Sequence, residues 1–267
     1  MILSFGPAGG WALAAGTALV YAVPAVAGTR MAAATVQRVL LVAWLLHALT
    51  LAAALLGTAP RFGFAPALSG TAWLVLAVYG IERQVFPQLR TGWLLAMLGA
   101  AAVLLAALFP GTVLHESKSP WLPLHWLLGI ASYGLFAAAV VHAWLMRRAE
   151  KSMRRADGED GGIPLLTLER LTFRFVGAGF VLLSATLLAG VLFSESLYGA
   201  GQVWRWDHKT IFSVLSWLAF AVLLLGRARF GWRGRKAVRV LYAGSVLLLL
   251  AYVGSRFVLE VFLGRGT

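Results

Sequence analysis

The chain has no cysteine. Thiolate metal sites and disulfide exchange within it are therefore excluded. Charge is also scarce. Charged residues make up 12% of the 267 positions against 60% hydrophobic, and the mean hydropathy is +0.82. A soluble domain carries roughly twice that share of charge to cover its surface. Negative charge is scarcest, with 10 Asp and Glu against 23 Lys and Arg. No carboxylate pair lies on a membrane face, and no HExxH or other zinc spacing occurs. So few intramembrane charges argue against a transporter for a small solute or divalent ion. Lys and Arg are absent from Met1 to Val20. Ala25-Val26-Ala27 resembles a signal cleavage site, but without a basic leader the stretch reads as a retained first helix.

What is present is a series of apolar runs near twenty residues long. That is the length an α-helix needs to cross a bilayer, whereas a transmembrane barrel would show short alternating segments. The expected fold is an all-α polytopic membrane bundle forming one domain over 1–267. Eight helices are expected, at roughly 8–27, 36–56, 67–85, 91–109, 121–146, 174–197, 208–226 and 237–260. No internal repeat stands out.

The net charge of +13 would suggest nucleic acid in a soluble protein. Here the bases sit in loops between apolar runs, so no nucleic-acid partner is expected. Arg30 and Arg38, Arg83 and Arg90, Arg147 to Arg174, and Arg227 to Arg239 alternate with loops that hold only Arg61, Lys118, Arg205 and Lys209. The positive-inside rule then places both termini, and the loop before residue 210, on the outer side of a bacterial inner membrane. Residues 147–173, with Asp157-Gly-Glu-Asp-Gly-Gly162, read as a mobile cytoplasmic linker. The basic run Arg227 to Lys236 has two readings: a contact for anionic lipid head groups, or a topology determinant and nothing more.

The chemistry-bearing residues gather in Gly201-Gln-Val-Trp-Arg-Trp-Asp-His-Lys-Thr210. Trp204 and Trp206 are either a binding surface or ordinary interfacial anchors. Asp207 is well placed to cap the next helix. Imidazole ligates iron and carries protons near neutral pH, so each of the five histidines is a candidate. His125 heads the fifth helix and His208 the seventh, at similar depth. His142 lies 17 residues beyond His125, roughly 25 Å along the helix, so those two cannot share a metal. His47 lies mid-span, where hydrogen-bonded packing competes with a ligand role. His115 lies in an outer loop with Glu116, and both it and His142 read as structural.

Trp204-Arg-Trp-Asp-His-Lys-Thr-Ile-Phe-Ser-Val-Leu-Ser-Trp217 resembles the Trp-x-Trp-Asp-x-Lys-x-x-x-Ser-x-x-x-Trp signature of the cytochrome c assembly (CcsA-like) membrane proteins. Leu124-His-Trp-Leu-Leu-Gly-Ile-Ala-Ser-Tyr133, Gly231-Trp-Arg-Gly-Arg-Lys236 and Ala251-Tyr-Val-Gly254 are similar to that family too. The likeness covers about 120–262 and is to the short HemX-like and YpjD-like branch.

The resemblance implies haem handling. Indoles of the outer loop would pack on the porphyrin, histidines would ligate the iron, and haem would pass to an apocytochrome or another assembly component. His125 corresponds to the family's first outer histidine, and Trp204, Trp206 and Asp207 to its tryptophan-rich loop. The haem would be b-type and non-covalent, since no cysteine is available to attach it. His208 stands where the family has proline. The family's histidines are absent from Leu223-Leu-Leu-Gly226 and Val261-Phe-Leu-Gly264. Three alternatives follow: His208 or His47 substitutes as a ligand, this branch binds haem differently, or it no longer ligates haem to a cytochrome. A different class also fits the composition: a cofactor-free regulatory or structural subunit. It would bind a protein partner through its basic face and the 147–173 linker.

Overall fold

A computed structural model describes residues 7–57, 60–85, 92–113, 121–155, 164–193 and 206–262. The helices are α1 (Pro7–Ala27), α2 (Ala33–Leu56), α3 (Phe64–Val85), α4 (Gly92–Leu108), α5 (Trp121–Arg155), α6 (Leu165–Leu192), α7 (His208–Phe230) and α8 (Gly234–Leu249). The last continues through π-helical turns at Leu250–Gly254 and Val258–Phe262. Seven of these spans are long and apolar enough to cross a membrane, and α4 is a shorter apolar helix. The protein is an all-α, multi-pass membrane bundle.

Several helix ends differ from expectation. α5 continues to Arg155 rather than stopping near 146, and α6 begins at Leu165 rather than 174. Hydropathy marks where a helix is in lipid, not where it ends. Arg147, Arg148, Glu150, Lys151 and Arg154 are good helix formers that extend α5 past the apolar stretch. The expected 147–173 linker therefore overlaps helix at residues 147–155 and 165–173, and Asp157 to Gly162 lie outside the described residues.

The chain forms two compact units. Residues 1–115 and 256–267 make the first, and 116–255 the second. In the first unit α1 packs on α4 and α2, and α3 packs on α4. Tyr21 is fully buried, and a Cβ on Gly99 would fall 2.8 Å from its ring. The strands β1 (Arg61–Phe62) and β2 (Thr112–Val113) pair antiparallel, Arg61 opposite Val113 and Phe62 opposite Thr112. Two residues are too few to show in a sequence pattern. Gly111 is required beside them: its φ is +78°, and the Phe62 carbonyl occupies the place of a Cβ.

In the second unit α5 packs along α6, α6 on α7, α7 along α8, and α8 back on α5. Across this ring Phe136 of α5 stacks on Phe220 of α7, with centroids 3.7 Å apart and planes at 7°. Glycines from the two flanking helices admit the pair. A Cβ on Gly179 would lie 3.2 Å from Phe136, and one on Gly244 2.8 Å from Phe220. Gly179 thus has the close-packing role expected of a small intramembrane residue, whereas Gly177 faces nothing within 4 Å. The Tyr133 hydroxyl donates to the Leu248 carbonyl, just before the helix turns π-helical.

Candidate functional site

At the start of α5, Trp121 and His125 are four residues apart and share one face. Trp121 stacks on Phe193 at the end of α6, with centroids 4.4 Å apart and planes at 8°. His125 is half-buried against α6. Its Cε1 lies 3.5 Å from where a Cβ on Gly190 would be, and the Thr186 backbone is beside the ring. Its Nδ1 is buried and has no hydrogen-bond partner among the described residues. An unpartnered buried nitrogen costs about 1–3 kcal/mol, so this imidazole sits in a position that favours acquiring a partner.

The start of α7 supplies the other side chains. Asp207 is its N-cap, accepting from the Thr210 backbone N–H at 2.8 Å. Burial alone would raise the Asp207 carboxyl. The bonds from Thr210 and the charges of Lys209 and His208 outweigh it and hold the group below its ordinary value. Trp206 is 68% exposed and His208 is exposed. Lys209 lies with its Nζ 5.4 Å from the centre of the Tyr252 ring, and its charge reaches His125.

The structure thus brings His125 and the first turn of α7 to one end of the second unit. Helices α5 and α7 face each other across the four-helix ring instead of packing side by side. No hydrogen bond or ring contact joins His125 and His208 among the described residues. Trp204 and His115 lie outside the described residues. His47 is elsewhere, in the first unit, fully buried with both ring nitrogens engaged. Nδ1 lies 3.2 Å from the Tyr21 hydroxyl and Nε2 2.8 Å from the Ser69 hydroxyl. His142 is buried, with Nδ1 2.7 Å from the Ala138 carbonyl and its ring tilted against Phe175. Among the described residues no group of three His, Asp or Glu could hold a metal ion.

Sequence reasoning did not single out Trp121, Phe193, Thr186 or Gly190 as parts of this site. The i, i+4 spacing of Trp121 and His125 was an available signal. The α6 residues had none until the packing of α5 on α6 was known.

The sequence profile of the family described as cytochrome C assembly protein matches residues 32–263. It therefore includes α2 to α4 as well as the 120–262 region that carries the visible motifs. The chain is 32% identical over 210 residues to "Uncharacterized 28.8 kDa protein in nifR3-like 5'region" of Azospirillum brasilense, covering 74% of this chain and 76% of that one. It is 32% identical over 179 residues to "Inner membrane protein YpjD" of Escherichia coli, covering 64% of this chain and 66% of that one. It is 26% identical over 182 residues to "Cytochrome c biogenesis protein CcsA" of Prochlorococcus marinus, covering 66% of this chain and 54% of that one. The matched part thus spans about half the length of that CcsA protein. No solved structure matches the chain significantly. The match to nearly the whole helical bundle shows that the chain belongs to the cytochrome c assembly protein family.

Proposed function

We propose that this protein holds haem non-covalently at the His125 end of its second unit. It delivers or reports on that haem for cytochrome c assembly, at the outer face of the bacterial inner membrane. The observation that carries the reading is the buried Nδ1 of His125, which has no hydrogen-bond partner among the described residues. The family profile and the cytochrome c biogenesis relatives support the process. The inner-membrane relative supports the location.

The residues present fit haem. Bound haem would supply an iron centre that accepts axial imidazole. His125 offers that imidazole, wedged against Gly190 so that its ring is oriented in advance. The Trp121–Phe193 stack and the exposed Trp206, with Trp204 beside it in sequence, offer flat apolar faces. Lys209 places a cation at the same end, where haem's two carboxylates need one. His208, exposed at the head of α7, is the candidate second ligand, and Asp207 fixes the helix turn that carries it.

The opposite end of the second unit carries Arg147, Arg148, Lys151, Arg154, Arg170, Arg174 and the Arg227 to Arg239 bases. By the positive-inside rule this charge supports a cytoplasmic location for that end and an outer one for His125. The family histidines missing after Leu223 and Val261 favour holding or delivery over ligation to a cytochrome.

An absorption spectrum of the purified protein, oxidised and then reduced, with and without added haemin, tests the reading. A Soret band with sharp reduced α and β bands is expected, weakened in His125→Ala. No band after haemin addition would overturn it and put the cofactor-free, partner-binding class first.

A further inference from the structure

At the end of the second unit away from His125, α7 and α8 meet in a turn that concentrates positive charge. Gly231 adopts the left-handed conformation (φ +62°), and the Trp232 N–H returns to the Gly226 carbonyl at 3.1 Å. This folds the Trp232 indole directly over Gly226, where a Cβ would collide with it. Arg227 donates to the Glu169 carboxylate of α6 and, at 3.3 Å, to the Trp232 carbonyl, and it lies over the Phe173 ring at 4.5 Å. Arg233 reaches the same Glu169 oxygen through Nε at 3.2 Å. The Lys236 ammonium sits 3.9 Å above the Trp232 ring. One carboxylate, only 12% exposed, therefore clasps two guanidinium groups and fixes the turn.

Charge is left over. Arg229, Arg235, Lys236 and Arg239 are exposed, and Glu169 is the carboxylate that the turn engages. Arg233 is held by Nε, and its side chain is 63% exposed; its Nη atoms have no partner among the described residues. Phe230, the last residue of α7, is 75% exposed and apolar. Both helices leaving the turn are membrane spans, so the turn lies at the level of the head groups.

We propose that this turn is a binding site for the phosphate of an anionic phospholipid. The Arg233 fork and the Arg235 guanidinium would take the phosphate oxygens, Trp232 would lie at the interface, and Phe230 would lie against the acyl chains. A guanidinium held at Nε presents its two Nη groups in the geometry a phosphate accepts. Because Glu169 already orders Arg233, its part in binding costs less side-chain entropy. A topology signal alone requires charge and not a clasped geometry. The clasp is the observation that favours a lipid site over the simpler reading.

Native mass spectrometry of the full chain in neutral detergent tests the proposal. Phosphatidylglycerol, phosphatidylcholine, inorganic phosphate and a polyglutamate peptide are titrated separately. One phosphatidylglycerol should be retained in preference to phosphatidylcholine. Each cation near an anionic head group contributes ~1 kcal/mol, about fivefold in affinity. Arg233→Gln with Arg235→Gln should therefore weaken retention at least tenfold, and Arg148→Gln with Arg154→Gln should not. Arg233→Lys, which keeps the charge and loses the fork, should also weaken it and provides the readout if the double variant fails to fold. Four results would overturn the proposal. They are equal loss in both double variants, equal retention of the two lipids, an unaltered Arg233→Lys, and retention of inorganic phosphate at lipid concentrations. Polyglutamate bound through these arginines without lipid preference would make the surface a protein-docking site instead.

Discussion

Trp44 and Trp73 donate their indole N–H groups to each other's backbone carbonyl, both at 3.1 Å, while their rings stack 4.5 Å apart at 10°. The reciprocal bonds fix how α2 sits on α3. Helix association in lipid has little hydrophobic drive, so packing and such bonds set the register. Trp44→Phe and Trp73→Phe each keep a stacked ring and lose one donor, and each should cost about 1 kcal/mol. The double variant should cost less than the two combined, because breaking either bond loosens the geometry of the other. Unfolding in mixed micelles measures this, and strictly additive costs would show that the bonds act independently.

His47 has a comparable role. Its ring bridges the Tyr21 and Ser69 hydroxyls and meets the Tyr21 ring edge-on, with centroids 5.8 Å apart. His47→Ala should lower stability by about 2–4 kcal/mol, through a cavity and two hydroxyls left unpaired. Haem retained per folded molecule should stay unchanged. A fall in that ratio would return His47 to the set of iron ligands.

Asp207 allows a finer test. As an N-cap it accepts one backbone N–H, and an asparagine oxygen can accept the same bond. Asp207→Asn should therefore match the parent in melting temperature and haem retention, while Asp207→Ala should lose about 1 kcal/mol. If the carboxylate charge instead orients His208, the asparagine variant would melt normally and bind haem less well.

These residues show what was legible in the sequence. Each span was visible because an apolar run of membrane length has few other uses. The extensions Arg147 to Arg155 and Leu165 to Arg174 were not, since the charged residues in both interrupt the apolar run that marks a span. The division into two units was hidden for a related reason: hydropathy counts helices without saying which of them pair. His125 stood out as an imidazole heading an apolar helix. The engagement of His47 was not visible, because Tyr21 and Ser69 come from different helices. The phase of α7 also had to be seen. It turns Lys209 toward Tyr252 and leaves His208 exposed.

Gly190 offers a way to test the His125 site without touching the histidine. A Cβ there would meet His125 Cε1 at 3.5 Å, an ordinary contact, so Gly190→Ala should leave haem retention unchanged. A leucine cannot share that space, and in a close-packed interface the ring must move. Gly190→Leu should then lower the reduced α band per folded molecule as far as His125→Ala does. If Gly190→Leu folds and retains haem as the parent does, the ring facing Gly190 is not the one that holds the iron. His208 would then have to be examined as the sole histidine ligand at this end of the bundle.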